Sequence, residues 1–471
     1  MNAPDQINLE PSSEELASWF KYTELLSQDF IRELKTALAY RPLDAQEEGN
    51  NLFATETMGF HAALSETLQR ITQFGIDTSG GRYFGYIPGG GVPLAAFGDF
   101  IAALTNRYAG MFMAAPGAVR IENEVLQTFL DLFKFPTTAW GTLTSGGSIA
   151  NLTAVLAARQ TRHRREWEHS TIYLTEQSHN SIQRALKVAG LNPELFRQVP
   201  VDSNFRMDTV KLRELIQKDT AQGFKPWMIL CALGTTNTGS VDPIEELVKI
   251  KNEFQLWLHV DAAYGGFFRL ARGTENLFQG VGDADSIVLD PHKSLFMPYG
   301  CGAVLIRNGE HLREAFAGEA VYLADIANTS DKSPADYSPE LTRHFRGLRI
   351  YLCLKTYGVG PFKAALEEKL ELTQWAYKEL MKIQQFEFAC APELSLIVFR
   401  MRGEDAITQE LLKQILKRGR VHMSSTRLNG QVYLRICILS FRSRLAEVQE
   451  CVAEIRQALT EVSKFLNIDK H

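Results

Sequence analysis

Four short stretches of the chain combine residue types that do chemistry. Thr144-Ser145-Gly146-Gly147-Ser148-Ile149-Ala150-Asn151-Leu152 is a small-residue loop opening a helix. Glycines let backbone N–H groups approach an anion, Ser148 can cap the helix, and a helix N-terminus favours negative charge, so the loop suits a phosphate. The plainer reading is a helix cap after a flexible turn. The loop matches neither GxxxxGK with a following Ser or Thr nor GxGxxG, which argues against a nucleoside triphosphate or a dinucleotide. In Trp257-Leu258-His259-Val260-Asp261-Ala262-Ala263-Tyr264, an apolar run closes on a carboxylate. A buried, ionised Asp261 calls for a partner such as a protonated ring nitrogen; alone, it reads equally as a strand-end turn. Asp290-Pro291-His292-Lys293 puts a lysine directly after the apolar run Ser286-Ile287-Val288-Leu289. Such an amine is a Schiff-base nucleophile when desolvated, and a snorkelling surface lysine otherwise. His179, in Glu176-Gln177-Ser178-His179-Asn180, can stack on a flat ring or cap a helix.

These residues need a scaffold that brings them to one place. Between about 141 and 307, short β-rich runs at 171–174, 228–233, 257–260, 286–289 and 303–306 alternate with helical patterns at 180–188, 208–218 and 243–254. That alternation predicts βαβ units and a mostly parallel sheet with helices on both faces. Ligands of such sheets sit outside the carboxyl ends of the strands, where Asp261 and Lys293 fall. Residues 1–80 read as a helical arm, starting at Pro11-Ser12-Ser13-Glu14-Glu15 and continuing its helical pattern from Phe30 to Tyr40. An arm without a core packs on the main domain or on another subunit. The expected division is an arm at 1–80, a large α/β domain at 81–380 and a small α+β domain at 381–471. Long helices fill 344–382, including 361–381. The small domain takes strands at 394–400 and 432–437 and helices at 409–417 and 446–465.

Composition narrows the class. The 471 residues carry a net charge of −5, with 45% hydrophobic and 22% charged residues, as in ordinary globular proteins. The mild acidity argues against a nucleic-acid surface. No uninterrupted apolar window reaches the roughly 18 residues of a membrane span, and Met1-Asn2-Ala3-Pro4-Asp5-Gln6 does not read as a secretory signal. The six cysteines are scattered, without metal-ligand spacing, and read as buried free thiols of a cytoplasmic protein. Arg159, Arg162, Arg164 and Arg165 read as a cluster complementing a helix end.

Taken together, a phosphate loop, a strand-end acid and a strand-end lysine at one sheet edge match the needs of pyridoxal 5′-phosphate: an anchor for its phosphate, an acid for its ring nitrogen and an amine for its aldehyde. The sequence also resembles the group II pyridoxal-phosphate-dependent amino-acid decarboxylases, which include aromatic-L-amino-acid, histidine, glutamate and 2,4-diaminobutyrate decarboxylases. The resemblance runs from about Gly81 to Leu459. It is carried by Tyr83-Phe84-Gly85-Tyr86, the Thr144–Leu152 loop, Gln177-Ser178-His179 and Gly234-Thr235-Thr236. Further carriers are His259-Val260-Asp261-Ala262-Ala263-Tyr264-Gly265-Gly266, Asp290-Pro291-His292-Lys293 and Tyr433-Leu434-Arg435-Ile436-Cys437.

The resemblance implies a fold-type-I architecture and a homodimer with its active sites at the subunit interface. It implies that Lys293 holds the cofactor aldehyde, Asp261 pairs with the pyridine nitrogen, Ala263 lies beneath the ring and His179 stacks on the opposite face. Thr236 corresponds to a threonine near the 3′-oxygen, Gly147 and Ser148 contact the phosphate, and His292 adjoins the lysine. Tyr322 occupies the place of a lid tyrosine that protonates the substrate carbanion; relatives with phenylalanine there form aldehydes instead, so Tyr322 favours simple decarboxylation. Tyr86, Ile87, Pro88, Thr342 and Arg435 are substrate-pocket candidates, with a structural ion pair as the alternative for Arg435. Three departures from the aromatic enzymes stand out: Ile87 for phenylalanine, Gly89-Gly90-Gly91 for bulkier residues, and Asp290 for an asparagine of the animal enzymes. The expectation is decarboxylation of an L-amino acid to an amine, with an aromatic substrate favoured. The alternatives are 2,4-diaminobutyrate or another non-aromatic substrate, aldehyde synthesis or carbon–carbon cleavage on the same fold, or a non-catalytic dimeric paralogue.

Overall fold

Ser12 caps the first helix of the chain through a reciprocal pair: its hydroxyl accepts the Glu15 N–H at 3.2 Å, and the Glu15 carboxylate accepts the Ser12 N–H at 2.8 Å. The computed structural model describes residues 9–43, 52–53, 57–318 and 331–468, with side chains to residue 462. Helix α1 (Ser13–Glu33) stops earlier than the pattern from Phe30 to Tyr40 suggests. Tyr40 is drawn instead into a two-residue strand, β1 (Tyr40–Arg41), and its N–H bonds to Gly419 O at 3.1 Å. Tertiary pairing overrides a local helical preference here. Next come α2 (Phe60–Thr72) and β2 (Gly75–Ile76), which pairs with β1. Neither α1 nor α2 has a buried residue. They meet through stacked Trp19 and Phe60, with ring centroids 4.9 Å apart.

The stretch between 81 and 140, which carries no sequence-level assignment, contains α3 (Pro93–Thr105) and α4 (Pro116–Phe133), each opened by a proline at its first turn. There follow β3 (Trp140–Thr144), α5 (Gly147–Arg159), β4 (Ser170–Leu174), α6 (Asn180–Val188), β5 (Phe196–Gln198) and α7 (Thr209–Ala221). Then come β6 (Lys225–Ala232), α8 (Ile244–Phe254), β7 (Trp257–Asp261), β8 (Ser286–Leu289), β9 (Gly302–Ile306) and α9 (Gly309–Phe316). The seven strands from β3 to β9 form one sheet, ordered β3-β9-β8-β7-β6-β4-β5. Only β9 runs against the rest. The expected mostly parallel sheet is therefore present, with two strands the sequence pattern did not reveal. One is β5, a three-residue edge strand, and the other is β3, whose Trp-Gly-Thr-Leu-Thr lacks an apolar run. Helix α5 turns Ala150, Ala154, Ala157 and Ala158 inward, and small side chains let it lie close to the sheet.

The remainder comprises α10 (Gly347–Tyr357), α11 (Gly360–Met381), β10 (Phe386–Phe388), β11 (Leu396–Met401), α12 (Asp405–Arg418), β12 (Ser424–Leu428), β13 (Gln431–Cys437) and α13 (Leu445–Ile468). Its four strands form an antiparallel sheet, ordered β10-β11-β13-β12. Strand β11 begins two residues later than expected, and the Ser395 N–H donates to the Tyr264 hydroxyl at 3.0 Å. Helix α11 packs Leu372, Ala376 and Leu380 into the core of this second sheet, and Phe84 joins them. No helix among the described residues is long and apolar enough to cross a membrane.

One buried ion pair ties this scaffold to the small-residue loop. Arg343 and Glu122 are bonded to each other with side chains 0% and 1% exposed. The same guanidinium bonds to the carbonyl of Leu143, one residue before the loop begins. Removing one partner of such a pair leaves an uncompensated charge. Glu122→Gln or Arg343→Met is expected to cost about 3–5 kcal/mol, measured as a lower denaturant midpoint. A midpoint equal to that of the parent chain contradicts the assignment.

Candidate functional site

Five strands of the large sheet deliver their carboxyl ends to one place. After β3, Gly146 is the N-cap of α5 and supplies no side-chain cap, which leaves the helix N-terminus to an anion. A Cβ on Gly147 would lie 2.9 Å from Asp290 Oδ2, so a side chain there would displace the Asp290 carboxylate. After β4, His179 caps α6 by accepting the Ser181 N–H at Nδ1, 3.3 Å away. It also lines the cavity, so capping and ring-facing roles are compatible. After β6, the Gly234-Thr235-Thr236 turn is tied down by a 2.7 Å bond between the hydroxyls of Thr235 and Thr238.

Asp261 ends β7. Its Oδ1 accepts the Ala263 N–H and its Oδ2 accepts the Asn151 side-chain amide, both at 3.1 Å. After β8, the Lys293 N–H bonds to Asp290 O at 2.8 Å, and this turn brings Lys293 Nζ to 2.9 Å from Asp290 Oδ2. His292 Nδ1 donates to the Cys301 carbonyl at 2.6 Å, which leaves Nε2 facing the Asp290 carboxylate at 3.6 Å.

These groups enclose a cavity of about 300 Å³. Gly147, Ser148, His179, Thr236, Asp261, Ala263, His292 and Lys293, all expected from the sequence, line it. Burial lowers the Lys293 pKa, but the nearby carboxylates of Asp290 and Asp261 outweigh it, and the ammonium sits above the usual lysine range. Burial also depresses His179 and His292, opposed by the same two carboxylates at His179 and by Asp290 at His292, so both rings are neutral near pH 7.

The substrate-pocket candidates behave differently, and none lines the cavity. Tyr86 is 58% exposed with φ +48°, an uncommon conformation for a side chain of its size. Ile87 and Pro88 are buried next to it. Their segment does run against the lysine turn: a Cβ on Gly89 would lie 2.3 Å from His292 O, so the departure to glycine is a steric requirement in this chain. Thr342 is exposed. Arg435 is 3% exposed. It donates to the carbonyls of Thr236 and Asn237 and to Ser424 Oγ, clamping β13 to the Thr236 turn. Among the described residues it forms no ion pair, and its partners are two carbonyls and a hydroxyl. Tyr322 lies outside the described residues. Sequence reasoning missed Asn151 and Ser181, which also line the cavity, and His259 behind them; they bond to Asp261, to His179 and to one another. A polar Asn151 within an alanine-rich helix face was the available signal.

Comparison with known proteins bears on what this geometry serves. The family model "Pyridoxal-dependent decarboxylase conserved domain" matches residues 50–402. The aromatic-L-amino-acid decarboxylase of Bacillus atrophaeus is 32% identical over 81% of this chain and 82% of the relative. The enzyme of the same name from Cavia porcellus is 28% identical over 84% and 86%. Among solved structures, Oryza sativa TDC with PLP and tryptamine superposes with a TM-score of 0.89 at 22% identity, covering 96% of this chain and 99% of that one. This last likeness shows the fold, the type-I architecture of pyridoxal-phosphate enzymes. The residues present fit that cofactor. A glycine-lined helix N-terminus, a strand-end carboxylate and a lysine amine share one cavity of matching scale. On the family match over most of its length, the chain belongs to the pyridoxal-dependent decarboxylases and is a pyridoxal-phosphate-dependent carboxy-lyase.

Proposed function

We propose that this protein decarboxylates an aromatic L-amino acid to its amine and carbon dioxide, as a homodimer in the cytoplasm. The observation that carries the reading is the convergence of Lys293, Asp261 and the uncapped N-terminus of α5 on one cavity. The aromatic preference is supported by the relatives from Bacillus atrophaeus and Cavia porcellus, both named aromatic-L-amino-acid decarboxylases. The dimer is supported by apolar surface that this chain leaves uncovered. Phe20, Phe97, Phe100 and Leu104 on α1 and α3 are each 45–64% exposed, and patches of this kind mark subunit contacts. Tyr86, exposed at the mouth of the lysine turn, then faces the second subunit.

Pyridoxal phosphate, when bound, supplies a conjugated ring that accepts the electron pair left by departing carbon dioxide. The work of this chain is to hold it and to manage protons. The N–H groups of Gly147 and Ser148 and the Ser148 hydroxyl would hold the phosphate. Asp261, fixed by Ala263 and Asn151, presents a carboxylate that keeps the ring nitrogen protonated. Ala263 and His179 form the two walls between which a flat ring is held, and the neutral imidazole adds no charge that would oppose a cationic ring. Lys293 supplies the amine, whose Nζ lies 2.9 Å from the Asp290 carboxylate. Tyr322 returns a proton to the substrate Cα. Preorganised groups of this kind supply much of an enzyme's rate.

Lys293→Ala is expected to lower turnover by at least about 1,000-fold. Borohydride treatment of the cofactor-loaded parent is expected to fix a pyridoxyl mass on the Lys293 peptide. Absence of that mass overturns the reading. Tyr322→Phe is expected to shift product from amine toward aldehyde, followed by assaying amine, aldehyde and hydrogen peroxide together; an unchanged amine yield removes Tyr322 from the mechanism. Asp290 raises the Lys293 pKa, so the amine is freed only at high pH in the cofactor-free chain. Asp290→Asn removes a raising influence, and the pH at which cofactor is captured at half-maximal rate therefore moves down. A midpoint that stays in place contradicts the pairing. Screening amino acids for carbon dioxide release is expected to find tryptophan, tyrosine, phenylalanine or dihydroxyphenylalanine ahead of 2,4-diaminobutyrate and glutamate.

A further inference from the structure

From Asn151 and Ser181 in the cavity wall, a chain of buried polar groups runs back to His259, and its hydrogen bonds admit one polarity. Asn151 Nδ2 lies 3.1 Å from Asp261 Oδ2 and 3.0 Å from Ser181 Oγ, while Asn151 Oδ1 lies 2.9 Å from His259 Nε2. A carboxylate only accepts, so the amide nitrogen must face Asp261 and the amide oxygen must face His259. His259 therefore carries its proton on Nε2. Burial depresses its pKa to about 4, so the ring is neutral and Nδ1 is a lone pair. That lone pair accepts the Ser286 hydroxyl at 2.8 Å, and Ser286 Oγ in turn accepts the Trp257 indole N–H at 2.9 Å.

The second branch is settled by the same logic. Ser181 Oγ accepts a hydrogen bond from the Asn151 amide, and its own hydroxyl donates to His179 Nδ1, 2.7 Å away. That nitrogen also accepts the Ser181 N–H, which puts the His179 proton on Nε2. Asn151 and His259 are each 1% exposed, Ser286 is 0% and Ser181 is 3%. No member can reverse without leaving a buried group unpaired, and that is costly.

We propose that Asn151 and His259 are positioning residues: a relay of fixed polarity that holds Asp261 as the acceptor for the cofactor ring nitrogen and, through Ser181, holds His179 in its Nε2–H tautomer. One buried amide thus sets both the acid beneath the ring and the imidazole wall. The inference rests on the decarboxylase reading above and adds residues that act by orienting Asp261 and His179.

The test is the equilibrium affinity of the cofactor-free protein for pyridoxal 5′-phosphate, read by fluorescence quenching, alongside the thermal midpoint of each cofactor-free variant. Asn151→Asp turns a donor into a second carboxylate beside Asp261 and is expected to weaken affinity about 10- to 100-fold. His259→Leu removes the Nε2–H donor and is expected to weaken it about 10-fold. His259→Gln, which can donate from a similar position, is expected to restore affinity to within about threefold. Asn151→Asp and His259→Leu both binding within threefold of the parent overturns the relay. So does a His259→Gln loss equal to that of His259→Leu, or a fall in thermal midpoint with the affinity of the folded protein unchanged. If His259→Leu does not fold, Asn151→Asp alone decides. A parent chain that fails to bind pyridoxal phosphate sinks the decarboxylase reading instead, a result distinct from any of these.

Discussion

A carboxylate at the end of a buried parallel strand must be compensated, and the compensation of Asp261 organises everything around it. Removing such a charge from water costs several kcal/mol unless donors replace the lost hydration. The backbone of Ala263 provides one donor and the Asn151 amide another. The Lys293 ammonium feels the charge as well. Asp261 thus places negative charge on the same cavity as the uncapped N-terminus of α5, which favours an anion. A zwitterionic, flat ligand satisfies both ends at once.

Asp290 adds a second negative charge a turn away. It meets Lys293 at 2.9 Å and faces the neutral His292, and its other oxygen is buried without a hydrogen-bond partner among the described residues. Two carboxylates around one lysine explain why burial does not strip the ammonium of its proton. They also make the lysine turn a place where charge must be rearranged when the amine becomes covalently engaged. Gly147 lies close to Asp290, where an added Cβ would come within 2.9 Å of the carboxylate, so the anion-binding loop and the lysine turn sit side by side.

The smaller sheet takes part without contributing to the cavity lining. Arg435 reaches from β13 to the carbonyls that follow β6 and fastens the Thr236 turn. Arg442, in the segment after β13, bonds to the carbonyls of Ser79 and Gly90, and so pins the strand of chain that crosses the lysine turn. Both act by satisfying main-chain acceptors, a structural use of guanidinium that needs no substrate.

Much of this was legible in the chain alone. Residue types ending apolar runs, namely Asp261, Lys293 and His179, identified the site because strand termini in a parallel sheet gather at one edge. The central strands and most helices followed from local periodicity, which depends only on neighbours in sequence. Strands β3 and β5 did not, since one has no apolar run and the other is three residues long. The early end of α1 was likewise set by a partner strand from residue 75 onward. The same distinction separates the site residues. Asp261, Lys293 and His179 announce themselves by position, whereas Asn151, His259 and Ser181 are joined to the site by hydrogen bonds between residues 30 to 110 positions apart. So is the clamp from Arg435, about 200 residues from its acceptors. Which donor meets which acceptor over such distances is decided only when the sheet and its helices close together.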